Sequence, residues 1–209
     1  PAAADAFEDA KAAYDRGDFS EATRLWHRLA VQGEVVGQYN VGFMYANGIG
    51  VPQSHARAVR WYRLAARKGH YKAQHNLAVC YDNGLGAPED HAVALRWYRR
   101  AADQGAVASQ VNLALLYAKG AEGVERDPVL AYKWFDIAAA LGARGAAAHR
   151  DRIAEGMTDR QVHDARQMAG RWLADYLGPM AGAAGPRDRS RRPRETPEGG
   201  RSRPAREAR

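Results

Sequence analysis

Residues 38–69 read QYNVGFMYANGIGVPQSHARAVRWYRLAARKG, and residues 74–105 read QHNLAVCYDNGLGAPEDHAVALRWYRRAADQG. The two stretches begin 36 residues apart, and a third copy starts at Gln110 with one extra residue in its middle. Gln, Asn, Tyr and Gly return at the same positions in all three copies. A fixed period of this size predicts a repeat architecture, in which each unit packs against its neighbours.

The first half of each copy has the pattern of a helix. In the first copy it spans roughly residues 36–47, with apolar side chains at Val41, Met44 and Tyr45 in the i, i+3, i+4 spacing of one helix face. Gly48 follows where a left-handed residue ends a helix, and Pro52 prevents the helix from resuming.

The second half of each copy predicts a second helix, which begins near Ser54, Asp90 or the pair Asp127-Pro128. Asp followed by Pro is typical of an N-cap and the first helical position. Two helices of this length cannot bury both of their apolar stripes alone, so consecutive pairs must stack. Tryptophans recur once per copy beside paired alanines, and we expect them in the packed core: Trp61, Trp97 and Trp134.

The flanking segments predict atypical pairs at the two ends of the stack. The closing helix begins at the capping box formed by Thr158 and Gln161 and is expected to end near Leu177. We therefore predict an all-α solenoid of about five stacked antiparallel helix pairs over residues 5–178. Its units are residues 5–33, 34–69, 70–105 and 106–142 and a capping pair, 143–178. Residues 179–209 are rich in Gly, Pro, Ala and Arg, which predicts a disordered tail.

The motif Gln-x-Asn-(Val/Leu)-(Gly/Ala)-x-x-Tyr-x-x-Gly-x-Gly-(Val/Ala), followed by Ala-x-x-Trp-Tyr-x-x-Ala-Ala-x-x-Gly, resembles the Sel-1-like repeat, a relative of the tetratricopeptide repeat. The resemblance covers about residues 7–177 and implies a right-handed superhelix that serves as an adaptor or scaffold for other proteins. One branch of this family has a pair of cysteines in each repeat. Cys80 is the only cysteine and does not match that branch. Its register with Met44 and Leu116 predicts a buried apolar position.

The sequence contains no convincing nucleophile elbow, phosphate loop or metal-binding helix. The string Gly48-Ile49-Gly50 closes a helix, whereas a phosphate loop opens one. A single cysteine cannot form an internal disulfide or a multi-thiolate metal site. We therefore expect a protein that is not an enzyme, with no cofactor and no metal.

In tetratricopeptide-like solenoids the first helix of each pair lines the concave face, so a protein or peptide partner is expected there. The mixture of aromatic, aliphatic and amide side chains suits a protein surface. An alternative is that Phe43, Val79 and Leu115 pack against neighbouring helices. The Asn ladder could contact a ligand or hold the stack, and we favour the second role. The candidate binding residues are Tyr39, Phe43, Asn47, His75, Val79, Asp82, Asn83, Val111, Leu115 and Lys119.

The net charge of +7 is uneven, because the segment from Gly185 onward has nine Arg and four acidic residues and so carries +5. This leaves +2 for the remainder, which assigns the basicity to the tail and not to a folded face. The tail could contact nucleic acid or an anionic membrane in a cytoplasmic adaptor, and this is the alternative function. Nucleic acid is not the favoured partner, since the tail has no aromatic residue to stack on bases.

Ala2 and Ala4 have the A-x-A arrangement found at the end of a cleaved secretory signal. We expect residues 1–4 to be the remnant of such cleavage and the protein to be periplasmic or secreted. The alternative is an arbitrary boundary in an Ala-rich chain. The apolar stretches fall short of a membrane span, so we expect no transmembrane segment, and we expect a monomer.

Overall fold

The computed structural model describes residues 3–181, with side chains over 5–178. The predicted tail from residue 182 onward lies outside the described residues, as do the side chains of the predicted signal remnant. The described part of the chain forms ten α-helices: α1 Ala3–Asp15, α2 Phe19–Val31, α3 Val35–Asn47, α4 His55–Arg67, α5 Tyr71–Asp82, α6 His91–Asp103, α7 Val107–Lys119, α8 Pro128–Ala140, α9 Ala146–Ala154 and α10 Asp159–Ala181.

Each helix from α1 to α8 packs against the next helix in the chain, and α10 packs against α8 and not against α9. The first eight helices therefore make four consecutive pairs, and α9 and α10 both close the stack on α8, which confirms the predicted all-α solenoid. The extra residue of the third copy lies in the loop between α7 and α8, where Ala121 and Val124 form an isolated β-bridge. The insertion leaves the helices before and after it in register.

The predicted N-caps begin the second helix of each central pair. The side chains of Ser54 and Asp90 accept hydrogen bonds from the backbone amides three residues on, at 3.4 and 2.8 Å. Asp127 accepts from the amide of Leu130 at 2.9 Å, with Pro128 as the first helical residue. Gly48 ends α3 in the left-handed region at φ +68°. These local signals place the boundaries that the sequence predicts.

The second glycine of each loop between paired helices lies against the preceding pair. At Gly86 (φ +72°) an added Cβ would overlap backbone atoms of His55 and Ala56, at the start of α4. At Gly50 it would overlap the backbone carbonyl of Phe19 at the start of α2. The loop glycine is therefore a docking point between successive units, and the absence of a side chain is what allows the approach.

The Gln ladder joins successive pairs. The side-chain amides of Gln38, Gln74 and Gln110 donate to backbone carbonyls eight residues earlier, at 3.3, 3.1 and 3.2 Å. Each acceptor belongs to an alanine in the last turn of the preceding helix. All three side chains are buried. The ladder satisfies carbonyl groups that a helix end leaves without an intrahelical partner.

All three tryptophans pack against the core, as expected, but only Trp134 is fully buried. Trp134 is 2% exposed, because Trp172 of α10 covers it at 5.9 Å between ring centroids. Trp61 and Trp97 are only partly buried. In the first two copies the neighbouring tyrosines, Tyr62 and Tyr98, are fully buried. Consecutive positions on a helix point about 100° apart, so the adjacent tryptophan lies at the edge of the core unless another helix covers it, as α10 covers Trp134 beside the buried Phe135.

The core of the described chain forms three clusters, which in chain order centre on the buried residues of 10–44, of 58–80 and of 78–169. Tyr45 packs against the first and second clusters, and Tyr81 and Trp97 pack against the second and third. Cys80 is buried in this core, as its register predicts, and burial raises the pKa of its thiol to about 11. A thiol in this state is protonated near neutral pH and acts as a small apolar residue.

The last helix is longer than its sequence predicts. Its capping box forms as expected, with the Gln161 amide donating to the Thr158 hydroxyl oxygen at 3.3 Å. The helix then continues past Leu177 to Ala181, so it includes the start of the segment predicted to be a tail. Tyr176 lies against Gly105, two residues after the end of α6, so α10 reaches past the adjacent repeat to the end of the one before it.

None of the helices within residues 3–181 combines the length and the apolar character needed to cross a bilayer.

Candidate functional site

Helices α3, α5 and α7 each present residues of the candidate site, and we call their shared side the first-helix face. The candidates recur every 36 residues, so equivalent positions on the three helices form rows across the stack. Within one helix they lie four residues apart, which places them on one side. The rows are Tyr39, His75 and Val111; Phe43, Val79 and Leu115; and Asn47, Asn83 and Lys119, with Asp82 beside them.

The first row is partly buried between repeats. Tyr39 stacks on His70, with ring centroids 4.6 Å apart, and burial raises the pKa of its phenol to about 12. A nitrogen of the His75 ring lies 2.8 Å from the hydroxyl of the buried Ser109, and burial lowers the pKa of this imidazole. Val111 packs against the third core cluster. The polar groups of this row hold one repeat to the next.

The second row changes from packed to exposed along the stack. Phe43 and Val79 pack against core clusters, as the alternative interpretation predicted for them. Leu115 does not follow that alternative, because its side chain is 43% exposed. Leu115 is therefore the apolar member of the candidate set that remains available to a partner.

The third row is exposed in all three helices. The amide groups of Asn47 and Asn83 donate to the backbone carbonyls of Phe43 and Val79, at 2.8 and 2.9 Å. These bonds hold the two amides against their own helix ends and leave the side-chain oxygens facing solvent. Lys119 occupies the equivalent place on α7 and adds a positive charge.

Asp82 differs from the other candidates because it contacts the second helix of its own pair. One carboxylate oxygen lies 3.0 Å from a ring nitrogen of His91, and the other accepts from the Tyr98 hydroxyl at 3.2 Å. Burial first, and then the charge of Asp82, raise the pKa of the Tyr98 phenol. Glu89 lies 3.3 Å from the second His91 nitrogen. This cluster joins α5 to α6, and Asp82 is only partly exposed.

The Asn ladder faces tyrosines of the preceding unit. Asn76 lowers the pKa of Tyr39 and Tyr62 by hydrogen bonding, against the larger raising effect of burial. Asn112 acts in the same way on Tyr98. These two asparagines therefore lie beside phenols of the preceding unit, and their structural role stays a prediction.

The described residues contain no group of three or more His, Cys, Asp or Glu side chains placed to hold a metal ion. The polar clusters that do form, around Asp82 and His75, join helices to one another. The exposed part of the first-helix face is instead a surface of aliphatic, amide and ammonium groups. Such a surface can bind another protein through packing and hydrogen bonds.

Sequence reasoning missed a second surface, on the opposite side of the helix pairs. We call the exposed side of α4 and α6 the second-helix face. The assignment of the basic charge to the tail alone is incomplete. The sum over the rest of the chain is close to zero because it combines the cations of this face with acidic residues in other helices. The signal was present in the sequence, since α4 has four arginines and no acidic residue. The exposed cations of this face are Arg57, Arg60, Arg67, Lys68, Arg96, Arg99 and Arg100.

A stack of helix pairs, joined by repeating Gln, Asn and Tyr contacts and exposing one face of its first helices, defines an α-helical repeat protein of the solenoid class. The family model described as Sel1 repeat matches residues 35–70, 72–105 and 107–142, about half of the chain. The chain belongs to the Sel1 repeat family. Proteins of this family are generally scaffolds for protein interaction, and the fold is typically not catalytic.

Two solved structures are similar to this chain. A Sel1 repeat protein from Oxalobacter formigenes is 29% identical with a TM-score of 0.62, over 73% of this chain and 64% of its own. A protective antigen of uropathogenic Escherichia coli strains, with an SLR fold, is 25% identical with a TM-score of 0.58, over 87% of this chain and 46% of its own. The chain therefore spans less than two thirds of either structure. No curated protein matched the sequence.

Proposed function

We propose that this protein is a non-enzymatic adaptor that binds a partner protein or peptide on the first-helix face. Family membership supports the general role, since Sel1 repeat proteins bind protein partners. The finer assignment to this face rests on one observation. Leu115 is 43% exposed in a row whose other members are packed, and it lies within four residues of the exposed Lys119.

An exposed leucine beside polar groups is the composition of a small docking site. The apolar side chain gains free energy when a partner covers it, and the surrounding amides and ammonium group fix orientation. Asn83, the residue that follows α5, and Lys119, the last residue of α7, occupy equivalent positions in successive repeats. A partner segment that lies across α5 and α7 would contact Leu115, Asn83 and Lys119 together.

We further propose that the protein is a monomer that works in the periplasm, where it regulates or assembles a complex. The competing proposal is a cytoplasmic adaptor whose Arg-rich tail contacts nucleic acid or an anionic membrane. Fractionation of the native host, followed by immunoblotting of the periplasmic and cytoplasmic fractions, separates the two proposals.

The binding proposal has a matched pair of variants. Leu115 on the first-helix face and Leu64 on the second-helix face are the same residue type with the same 43% exposure. The full chain is crosslinked in its native host, the captured protein is identified and purified, and its Kd is measured by calorimetry for Leu115→Asp and Leu64→Asp. We expect Leu115→Asp to weaken binding at least about tenfold, since burying a charge costs more than 1.4 kcal/mol. We expect Leu64→Asp to leave the Kd unchanged.

The opposite effect of the two variants on the Kd would contradict the binding proposal. If Leu64→Asp weakens binding and Leu115→Asp does not, the partner docks on the second-helix face. Circular dichroism of both variants provides the folding control, since each replaces an exposed leucine and both should keep the wild-type spectrum.

A further inference from the structure

The second-helix face concentrates positive charge on two neighbouring repeats. Arg60 and Arg96 are equivalent positions 36 residues apart, and so are Arg63 and Arg99. On α4 the exposed cations lie at spacings of three, seven and eight residues, which keeps them on one side of the helix. The core residues of α4 occupy the opposite side.

None of these cations has an acidic partner within residues 5–178, although Lys68 donates to the backbone carbonyl of Gly33 at 2.6 Å and Arg57 lies over the ring of Tyr45. Among the described side chains, ion pairs within 4.0 Å involve Arg24, Arg150, Arg160 and His91, and none involves a cation of the second-helix face. The nearest acidic positions in sequence are Asp103, the last residue of α6, and Asp90, its N-cap. An exposed surface of unpaired cations creates a positive potential that attracts polyanions.

The aromatic residues at this face are already covered. Arg100 lies over the ring of Trp97, with its guanidinium carbon 4.7 Å from the ring centroid. The ring of His27 contacts Trp61 edge to face at 5.5 Å. Single-stranded nucleic acids bind proteins largely by stacking bases on open aromatic rings. The face lacks such open rings, which argues against a single strand as its partner.

One large apolar side chain lies among the cations. Leu64 is 43% exposed, and on the helix surface it is a neighbour of Arg60, Arg67 and Lys68, at three or four residues. A leucine surrounded by basic groups matches the interface of a bilayer, where phosphates meet the cations and the apolar group enters the headgroup region. Duplex nucleic acid offers phosphates and no apolar layer for Leu64.

The sequence beyond the described residues is also basic, because it adds nine Arg and four acidic residues from Gly185 onward. An extended anionic surface can bind several basic elements of one chain at once, whereas a small acidic ligand can bind only one. The charge of the whole chain therefore favours a membrane over a small acidic ligand.

We propose that the second-helix face of α4 and α6 binds the surface of an anionic phospholipid membrane. The guanidinium groups contact lipid phosphates, and Leu64 enters the headgroup region. The first-helix face lies on the other side of the helix pairs and stays open for a protein partner.

The test uses the full chain and vesicles of phosphatidylglycerol and phosphatidylcholine, compared with vesicles of phosphatidylcholine alone, in a cosedimentation assay. We expect binding to the anionic vesicles only, with a steep loss as salt increases. The double variant Arg60→Glu/Arg96→Glu should lower the partition coefficient by about 30-fold or more, since each basic residue near an anionic surface contributes about fivefold. The control Arg152→Glu/Arg160→Glu changes the net charge equally at exposed positions outside the face.

Leu64→Ser tests the apolar contact at constant charge. We expect it to lower the partition coefficient by about threefold or more, because a partly buried leucine contributes free energy on leaving water. Leu115→Ser is the matched control and should have no effect. A change at Leu115 equal to that at Leu64 would contradict the assignment to this face.

Three results would overturn the proposal. The first is equal loss of vesicle binding in the Arg60/Arg96 and Arg152/Arg160 variants. The second is full vesicle binding by the Arg60→Glu/Arg96→Glu variant together with loss when the nine tail arginines are changed to Gln. The third is tight binding of a duplex oligonucleotide that depends on Arg60 and Arg96, with no binding to anionic vesicles.

Discussion

The alanine substitution of Gly86 tests how successive repeats dock. Gly86 has φ +72°, and a Cβ there would overlap the backbone at His55 and Ala56. A non-glycine residue in the left-handed region costs about 1–2 kcal/mol. Backbone atoms cannot rotate away as a side chain does, so α4 and the loop must separate, and overpacking of this kind costs about 1–3 kcal/mol. We expect Gly86→Ala to lower the free energy of unfolding by about 2–5 kcal/mol.

Gly84 provides the matched control in the same loop. Its φ of +64° is similar, but the nearest atoms to an added Cβ are 3.7 Å away, at ordinary contact distance. Gly84→Ala therefore carries the conformational cost alone, about 1–2 kcal/mol. Gly123, in the loop with the extra residue, is intermediate, because its Cβ would lie 3.3 Å from the Cβ of Ala92.

Urea unfolding followed by tryptophan fluorescence and circular dichroism measures these differences. Repeat proteins can unfold in parts, so the free energies are comparable when the two probes give coincident transitions, which is what we expect here. In a thermal melt, about 3 kcal/mol corresponds to a Tm lower by about 6–12 °C for a chain of this size. Equal destabilisation by Gly86→Ala and Gly84→Ala would refute the claim that the second loop glycine is a close backbone contact between repeats.

Three further predictions concern stability. Trp134→Ala should cost about 3–5 kcal/mol of unfolding free energy, and Trp97→Ala clearly less, because only Trp134 is fully buried; equal losses in urea titrations would contradict this. Asp127→Ala should cost about 1–2 kcal/mol by removing an N-cap, with Asp127→Asn retaining most of the stability. Burial lowers the pKa of His70 to about 4, from an unfolded value near 6.5, so its contribution to stability is present above pH 6.5 and lost as the pH falls towards 4. His70→Asn should flatten the decline of Tm over that range, with the part due to His75 remaining; an unchanged Tm profile would count against the assignment.

The boundaries of the helices were predictable because their signals are local. Ser54, Asp90 and Asp127 act within three residues of themselves, and Gly48 requires only its own backbone conformation. The stacking followed from the fixed period, since one pair cannot bury both of its apolar stripes. These features depend on sequence separation alone.

The state of the candidate site was not predictable in the same way. Whether Tyr39 is exposed depends on His70, which stacks on it from the start of the next helix pair. Whether His75 is free depends on Ser109, one repeat further on. The register places residues on a face, and the size and polarity of neighbours in the next repeat decide how much of each side chain stays accessible.

The tryptophans show a related limit. Trp61-Tyr62 and Trp97-Tyr98 are adjacent pairs, and periodicity cannot decide which member of a pair points inward. Tyr62 and Tyr98 occupy the core, and the tryptophans lie at the edge of the second-helix face. The charge of α4 is the opposite case, because its four arginines and its lack of acidic residues can be read from the sequence of that helix alone.

Site-specific photocrosslinking tests directly whether a partner protein binds the first-helix face. A photoreactive amino acid replaces Leu115 or Leu64 in the full chain, which is then irradiated in the native host. Both side chains are 43% exposed, so simple accessibility predicts equal crosslinking. We expect a discrete protein crosslink from position 115 and none to that protein from position 64. Crosslinks to that protein from position 64, with none from position 115, would contradict the assignment of the adaptor site to the first-helix face.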